Sequence, residues 1–478
     1  MVILMLLSRD LIESCGFDYI LSLLEVQSPL GRKYIKNLPF MTDYDEISVE
    51  IHKTKAFIRF ASQNRSMQEE FSKIIGHIKD ISQTCHKLEL KETLDDIQLF
   101  EIKIFSMLCC RLKEYIPEYM DFLEIKDLKE AFSLLDPVNL CMPSFYIYDE
   151  YSEELAQVRK KKQKIAGTFP VDEQELINTA ALENSIENTV RKELSQKLSD
   201  YAPSMIHNLS SLAYADFSTA KALFIMNYGL CSPELSERGI YYEQLFNIEL
   251  NSILSKNQKR FQPVDIDLNH PVTVITGANM SGKTVVLKSL ALNQLMFQTG
   301  FFICAKTARI TPVESIFLIT KDAQSIDEGL SSYAFEILKV SECINHSQNG
   351  EKCLILIDEL ARTTNPQEGR AIVRSVMSIL AEHDVYAVIT THYDGVLSKN
   401  AKHYRVSGIR KDKIGDSKIK RENITDYIDY SLISEDGWTS VPKEALTIAR
   451  LLDVDNELIT RAEMFLNEAQ KGGCADGK

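Results

Sequence analysis

Long apolar runs are missing from this 478-residue sequence: none reaches the ~20 residues needed to cross a bilayer. The apolar start, Val2 to Leu7, is shorter than a signal-peptide core, lacks a basic leader and runs straight into Arg9 and Asp10. It reads as the first turns of a buried helix, and the chain is expected in the cytoplasm. Cysteine pairs at metal-binding spacing are also absent. Ten cysteines scatter from Cys15 to Cys474, with Cys109 and Cys110 adjacent and no C-x-x-C, which excludes a zinc module and a disulfide framework and leaves reduced, mostly buried thiols. Positive charge is in deficit, with a formal net charge of -14. A protein that grips a long duplex needs Lys and Arg for the phosphates, so the acidic balance counts against an extended nucleic-acid surface. The hydrophobic fraction of 45% and charged fraction of 26% fit neither disorder nor a membrane bundle. The length exceeds what one core serves, giving two or three domains.

Glycine is scarce up to about residue 235, where apolar positions fall three and four apart and predict an almost wholly helical region. Leu182, Ile186, Val190, Leu194 and Leu198 lie four apart and predict one stripe on a helix from about Asp172 to Tyr201, some 45 Å long. A second helix is expected from Glu153 to Ile165, with Gly167-Thr168-Phe169-Pro170 as the turn between them. This antiparallel pair is either a lever or an inert packing hairpin. From about Gly239 the texture changes. Val272–Thr276, Ile316–Thr320, Cys353–Ile357 and Tyr386–Thr390 read as strands separated by helix-length segments, which predicts a mainly parallel sheet covered on both faces. The charge-rich Lys411 to Arg421 reads as a solvated loop or hairpin, and Lys443 to Leu466 as a closing helical stretch. The expected division is 1–235, 236–410 and 411–478, an α plus α/β architecture.

The run Gly277-Ala278-Asn279-Met280-Ser281-Gly282-Lys283-Thr284 satisfies G-x-x-x-x-G-K-[ST] between a predicted strand and a predicted helix. The two glycines let the backbone curl so that its N–H groups surround phosphate oxygens, and the helix N-terminus adds partial positive charge. Lys283 is placed to reach the β- and γ-phosphates, and the Thr284 hydroxyl to ligate Mg²⁺. The strand Cys353–Ile357 delivers Asp358 and Glu359 at its carboxyl end. Asp358 suits the metal; Glu359 suits the attacking water. His392, after the strand at Tyr386, falls at the same edge and is a γ-phosphate sensor or a structural hydrogen bonder. Phe261 is given a stacking role on adenine, the alternative being a core aromatic.

These motifs carry a family resemblance. The segment Ile275 to Thr284 resembles the phosphate loop of the MutS ATPase domain, itself ABC-like. Asp322 to Tyr333 resembles the segment that in this family reaches the partner subunit's nucleotide; Asp358 to Gly369 resembles D-E-[LI]-G-R-G-T-[SD]-P-x-E-G; Thr390-Thr391-His392-Tyr393 matches the switch histidine. Ser28-Pro29-Leu30-Gly31-Arg32 and Leu38-Pro39 look like the opening of the MutS core domain, and Val441 to Ala449 like its C-terminal association element. The resemblance implies a helical core and lever region, an ABC-like P-loop α/β ATPase domain, a C-terminal dimerisation element, and sites completed in a homodimer or a heterodimer with another MutS-like chain. Ser331 and Ser332 would then contact the opposite γ-phosphate; helix capping is the alternative.

Departures bear on function. Ala361, Thr363 and Ser281 replace family glycines, which implies stiffer loops and slow turnover. As read here the sequence leaves no room for mismatch-reading and connector domains or a C-terminal Smr nuclease domain, and the helical pair is joined too closely for a DNA clamp. Two functions follow. One is a DNA-transaction ATPase on mismatched or branched DNA, for which Arg159, Lys160, Lys161, Lys162 and Lys164 are the dense basic cluster, unless that run is only a solvated helix face. The other is an ATP-driven chaperone similar to the MutS-like subunits that reactivate adenosylcobalamin-dependent lysine aminomutase, a resemblance carried by Ala361 to Pro366 and Tyr427 to Tyr430.

Overall fold

The computed structural model describes residues 9–278, 281–320, 332–362, 364–393, 395–396, 401–410, 427–435, 445–451 and 454–472. The chain divides into two compact units, one of Leu24–Leu38 and His52–Tyr228, the other of Met1–Leu23, Pro39–Ile51 and Gly229–Lys478. The division falls inside the helix Tyr44–Gln63. The sequence reading expects domains that follow one another along the chain, whereas the sheet-bearing unit draws in two early segments. Packing and hydrogen bonding within that unit account for this. Buried Phe17 meets the Phe301 ring edge-on at 5.9 Å. The Met41 N–H donates to the Gln298 carbonyl at 2.8 Å, and Gln298 Nε2 donates to the Met41 carbonyl at 2.7 Å.

The first unit is helical. Helix Asp96–Lys113 shows why: Leu99, Ile102, Phe105, Leu108, Cys109 and Leu112 recur at three-and-four spacing and are buried, and Asp95 with Gln98 forms a capping box at its start. At Ser28, which caps Pro29–Lys36 through the Gly31 amide, the Asp216 carboxylate accepts from the amides of Gln27 and Ser28 and from the Ser28 hydroxyl. Gly31 is required there, since a Cβ would stand 2.3 Å from Asp216 Oδ2. The helical pair is Glu153–Ala166 and Glu173–Leu198, joined by residues 167–172. Of the predicted stripe, Val190, Leu194 and Leu198 sink into the core, Ile186 is half-buried and Leu182 is 47% exposed. Much of the basic run on the first helix is neutralised in place. Arg159 pairs with Asp149, Glu183 and Glu187 at 2.6, 3.0 and 2.8 Å, Lys161 with Glu175 at 2.9 Å, and Lys162 with Glu183.

The second unit holds both sheets. Strands β1 (Glu234–Leu235), β2 (Ile240–Leu245), β3 (Val264–Leu268), β4 (Val272–Thr276), β5 (Thr307–Ile310), β6 (Ser315–Ile319), β7 (Cys353–Ile357), β8 (Tyr386–Thr391), β9 (Ala401–Ile409) and β10 (Ile428–Ser434) form a four-stranded sheet ordered β1-β5-β2-β3 and a six-stranded sheet ordered β10-β9-β4-β8-β7-β6. In the larger sheet β9, β4, β8, β7 and β6 run parallel and β10 is an antiparallel edge. The protein is thus mixed helix and sheet. Strands β4 and β7 are buried throughout, so they read as continuous apolar runs instead of alternating ones. Helix Pro366–Leu380 covers the sheet with Gly369, Val373, Val376, Met377 and Leu380, one apolar face of an amphipathic helix.

At the C-terminal end two helices, Ala445–Leu451 and Asn456–Gly472, stand where the sequence predicts one stretch. Asp455 accounts for the second start, its carboxylate accepting from the amides of Glu457 and Leu458. The expectations for Val2–Leu7 and for Lys411–Arg421 lie outside the described residues. Among the described residues no helix is long and apolar enough to cross a membrane.

Candidate nucleotide site

Strand β4 lies between β9 and β8, with Thr276 in register with Thr391 and Ile357 in register with Ile389, so β4, β7 and β8 all end at one edge of the larger sheet. That edge is where parallel sheets hold ligands. The chain leaves β4 through Gly277 and Ala278 and enters the helix Lys283–Gln298 from Gly282, whose φ of 82° suits glycine. A Cβ on Gly282 would stand 3.0 Å from the Tyr430 ring, and one on Gly277 2.9 Å from Ser281 Oγ. Asn279 and Met280 lie outside the described residues.

Lys283 is buried, and its ammonium donates to the carbonyls of Gly277 and Ala278, both at 2.9 Å, while lying 3.7 Å from Glu359 Oε1. The Thr284 hydroxyl donates to Asp358 Oδ2 at 2.8 Å. Thr390, at the end of β8, donates to Asp358 Oδ1 at 2.7 Å and accepts from the Glu359 amide at 2.9 Å. Both carboxylates are buried. Thus Lys283, Thr284, Asp358 and Glu359 converge.

A cavity of about 660 Å³ opens beside them, within the usual range for small-molecule sites. Ser281, Lys283, Thr284, Glu359 and Arg362 line one part; Phe261, Leu250, Leu254 and Tyr430 give another part an apolar wall. Gln262 ties that wall to β10, donating to Asp429 Oδ1 at 2.7 Å and Ser431 Oγ at 2.9 Å and accepting from the Tyr430 amide at 3.2 Å. Burial opposes ionisation of Asp429, yet the bonds from Ser431 and Gln262 prevail and hold its carboxyl below the usual range. Behind the loop, His403 Nε2 lies 3.0 Å from Thr276 Oγ1, and burial pushes the imidazole pKa down against the pull of Glu435.

The remaining predicted residues are dispersed. His392 is exposed, its ring 4.5 Å from that of Tyr393. Ser331 lies outside the described residues; Ser332 opens the helix Ser332–Gln348, and its side chain is not among those described. Sequence spacing alone gives no part to Thr390, Arg362 or Gln262. A hydroxyl at the end of β8 is a legible signal for the first; for the other two the signal is spatial.

Residues 273–470 match the family model described as MutS domain V, which covers the larger sheet and the site at its edge. These similarities support a member of the MutS family. Its relatives include proteins named Endonuclease MutS2. That of Streptococcus mutans is 25% identical over 92% of this chain and 62% of its own length. That of Ligilactobacillus salivarius is 34% identical over 43% of this chain and 26% of its own, and that of Shouchella clausii 30% identical over 58% and 33%. The chain spans less than two thirds of the length of these relatives. They lend no support to the aminomutase-reactivating reading.

Proposed function

We propose that this protein binds ATP with Mg²⁺ in the cavity beside Gly277 to Thr284 and hydrolyses it to ADP and phosphate. The observation carrying this reading is the meeting of Lys283, Thr284, Asp358 and Glu359 at one sheet edge. Thr284 Oγ1 and Asp358 Oδ2 are hard oxygens 2.8 Å apart, a donor pair that suits Mg²⁺, which takes oxygen ligands and keeps several waters. Held by Thr284 and Asp358, the ion would supply charge neutralisation to the phosphates. Lys283 exchanges its two loop carbonyls for phosphate oxygens, Ser281 adds a hydroxyl, and Phe261 stacks on adenine. Glu359 orients a water and takes its proton as the water oxygen bonds to the γ-phosphorus; the bond to the bridging oxygen breaks and its electron pair leaves with ADP.

A steady-state ATPase assay with a parallel nucleotide-binding measurement tests this. Lys283→Ala should lose binding, whereas Glu359→Gln should bind ATP and turn over slower by about 10²–10⁴-fold, the usual worth of a general base. Equal rates in wild type and Glu359→Gln would remove the assigned base.

We further propose that hydrolysis serves DNA, as the name Endonuclease MutS2 of its relatives suggests, with mismatched or branched structures as ligands and two chains sharing the nucleotide sites, as the MutS resemblance implies. Arg159, Lys161 and Lys162 are paired with carboxylates, so a phosphate binding to that run would have to displace those partners. Binding of duplex, mismatched and branched DNA at physiological salt, with and without ATP, decides. An affinity no better than the nonspecific ~10⁻⁴–10⁻⁶ M for every form rules DNA out.

A further inference from the structure

Glu359, the base in the reading above, is more constrained than that role requires. It has φ 51°, and Ala361, two residues on, has φ 58°, both left-handed in residues that rarely adopt that region. The turn is held from several sides. The Ala361 amide donates to Glu336 Oε1 at 3.2 Å, and its carbonyl accepts from the buried Tyr393 hydroxyl at 2.8 Å. Gly369 leaves room for that hydroxyl, because a Cβ would stand 2.4 Å from it. The product of this turn is one contact: Arg362 folds back and Nη1 donates to Glu359 Oε2 at 2.8 Å. The partners are unequal, Arg362 being 45% exposed at the cavity wall and Glu359 only 7%.

We propose that Arg362 is a positioning residue for Glu359, gripping one carboxylate oxygen so that the other points at the phosphate loop. The two oxygens are already told apart: Oε2 is bonded to Arg362, while Oε1 lies 3.7 Å from Lys283 Nζ. A carboxylate on a flexible side chain samples several rotamers, and a base must stand within hydrogen-bond reach of the water it activates, so fixing its plane raises the fraction of productive encounters. The guanidinium suits this because it is planar and always charged, whereas an ammonium supplies charge without a fixed direction. The fork is placed by the left-handed turn.

The inference rests on the ATPase reading, and the experiment separates the two. ATP turnover and nucleotide affinity are measured on the full chain for wild type, Arg362→Gln, Arg362→Lys, Glu359→Gln, Lys283→Ala and the double variant Arg362→Gln/Glu359→Gln, with circular dichroism as the folding control. Arg362→Gln should lower kcat on the order of tenfold while KM and ATP affinity stay within about twofold. Arg362→Lys should recover part of kcat. In the Glu359→Gln background, Arg362→Gln should cause no further fall, because the group it positions is gone. An unchanged kcat, a loss confined to KM, or multiplying effects in the double variant overturns the assignment and leaves the ATPase reading standing. A wild-type chain no faster than Lys283→Ala overturns both.

Discussion

Ser281 occupies a position where the family pattern has glycine, and its hydroxyl is buried with no hydrogen-bond partner among the described residues. A buried donor left without a partner is costly, and this one lines the cavity beside Lys283. In the proposed site a phosphate oxygen would be that acceptor. Ser281→Ala should therefore weaken ATP binding by about 0.5–1.5 kcal/mol, a several-fold rise in Kd by titration calorimetry, while raising the stability of the nucleotide-free chain. Lys283, Thr284, Asp358 and Glu359 were legible as a group because their spacing is tied to strand ends, and a strand end is written in the sequence as an apolar run that stops. Motif spacing gives no such signal for Thr390 or Arg362. Thr390 meets Asp358 from another strand, and Arg362 reaches Glu359 only because Ala361 turns left-handed, which alanine seldom does.

Among the elements of the helical unit, a buried ion pair joins helix Asp96–Lys113 to the end of helix Lys129–Leu135. Lys103, with no exposed side-chain surface, donates to Asp136 Oδ1 at 3.0 Å, the Ser144 carbonyl at 3.0 Å and the Tyr148 hydroxyl at 3.1 Å. Burial alone would raise the Asp136 carboxyl, but bonds from the Cys141 amide and Lys103 outweigh it and hold the pKa below the ordinary value. A depressed carboxyl lends stability that is complete above the unfolded pKa, near ~4, and is lost as pH falls through the folded one. Lys103→Met strips a buried charge of its partner and should cost about 3–5 kcal/mol at pH 7. Without Lys103, Asp136 keeps the Cys141 amide but loses its charged partner. The share of stability that the wild type loses in acid should therefore shrink in the variant, as urea unfolding at several pH values would register. Element patterns were partly legible. The strands were found because both faces of the sheet are buried; the Leu182 to Leu198 stripe misled over its first half, since periodicity shows which face is apolar and not how far along the helix a neighbour extends.

For the molecule as a whole, the interleaving of the two units has a practical outcome. A fragment starting at residue 236 omits Phe17 and Met41 and leaves fully buried Phe301 without its ring neighbour and buried Gln298 without one of its acceptors. Exposing these groups costs both apolar burial and satisfied polar bonds. The fragment should bind a hydrophobic dye and precipitate on purification, and the full chain should do neither; a soluble, cooperatively unfolding fragment would count against this account. The sequence reading placed the change of texture near Gly239 from local composition, which cannot report that residues more than two hundred positions earlier complete the same core.

The ammonium of Lys283 is already satisfied by two carbonyls of its own loop. An arriving anion gains only the difference between a phosphate and a carbonyl at that nitrogen, a small return for a single phosphoryl group. In the proposed ATP site several phosphoryl groups in a row would repeat the gain toward the helix N-terminus, so orthophosphate should be a poor competitor of ATP in a binding titration.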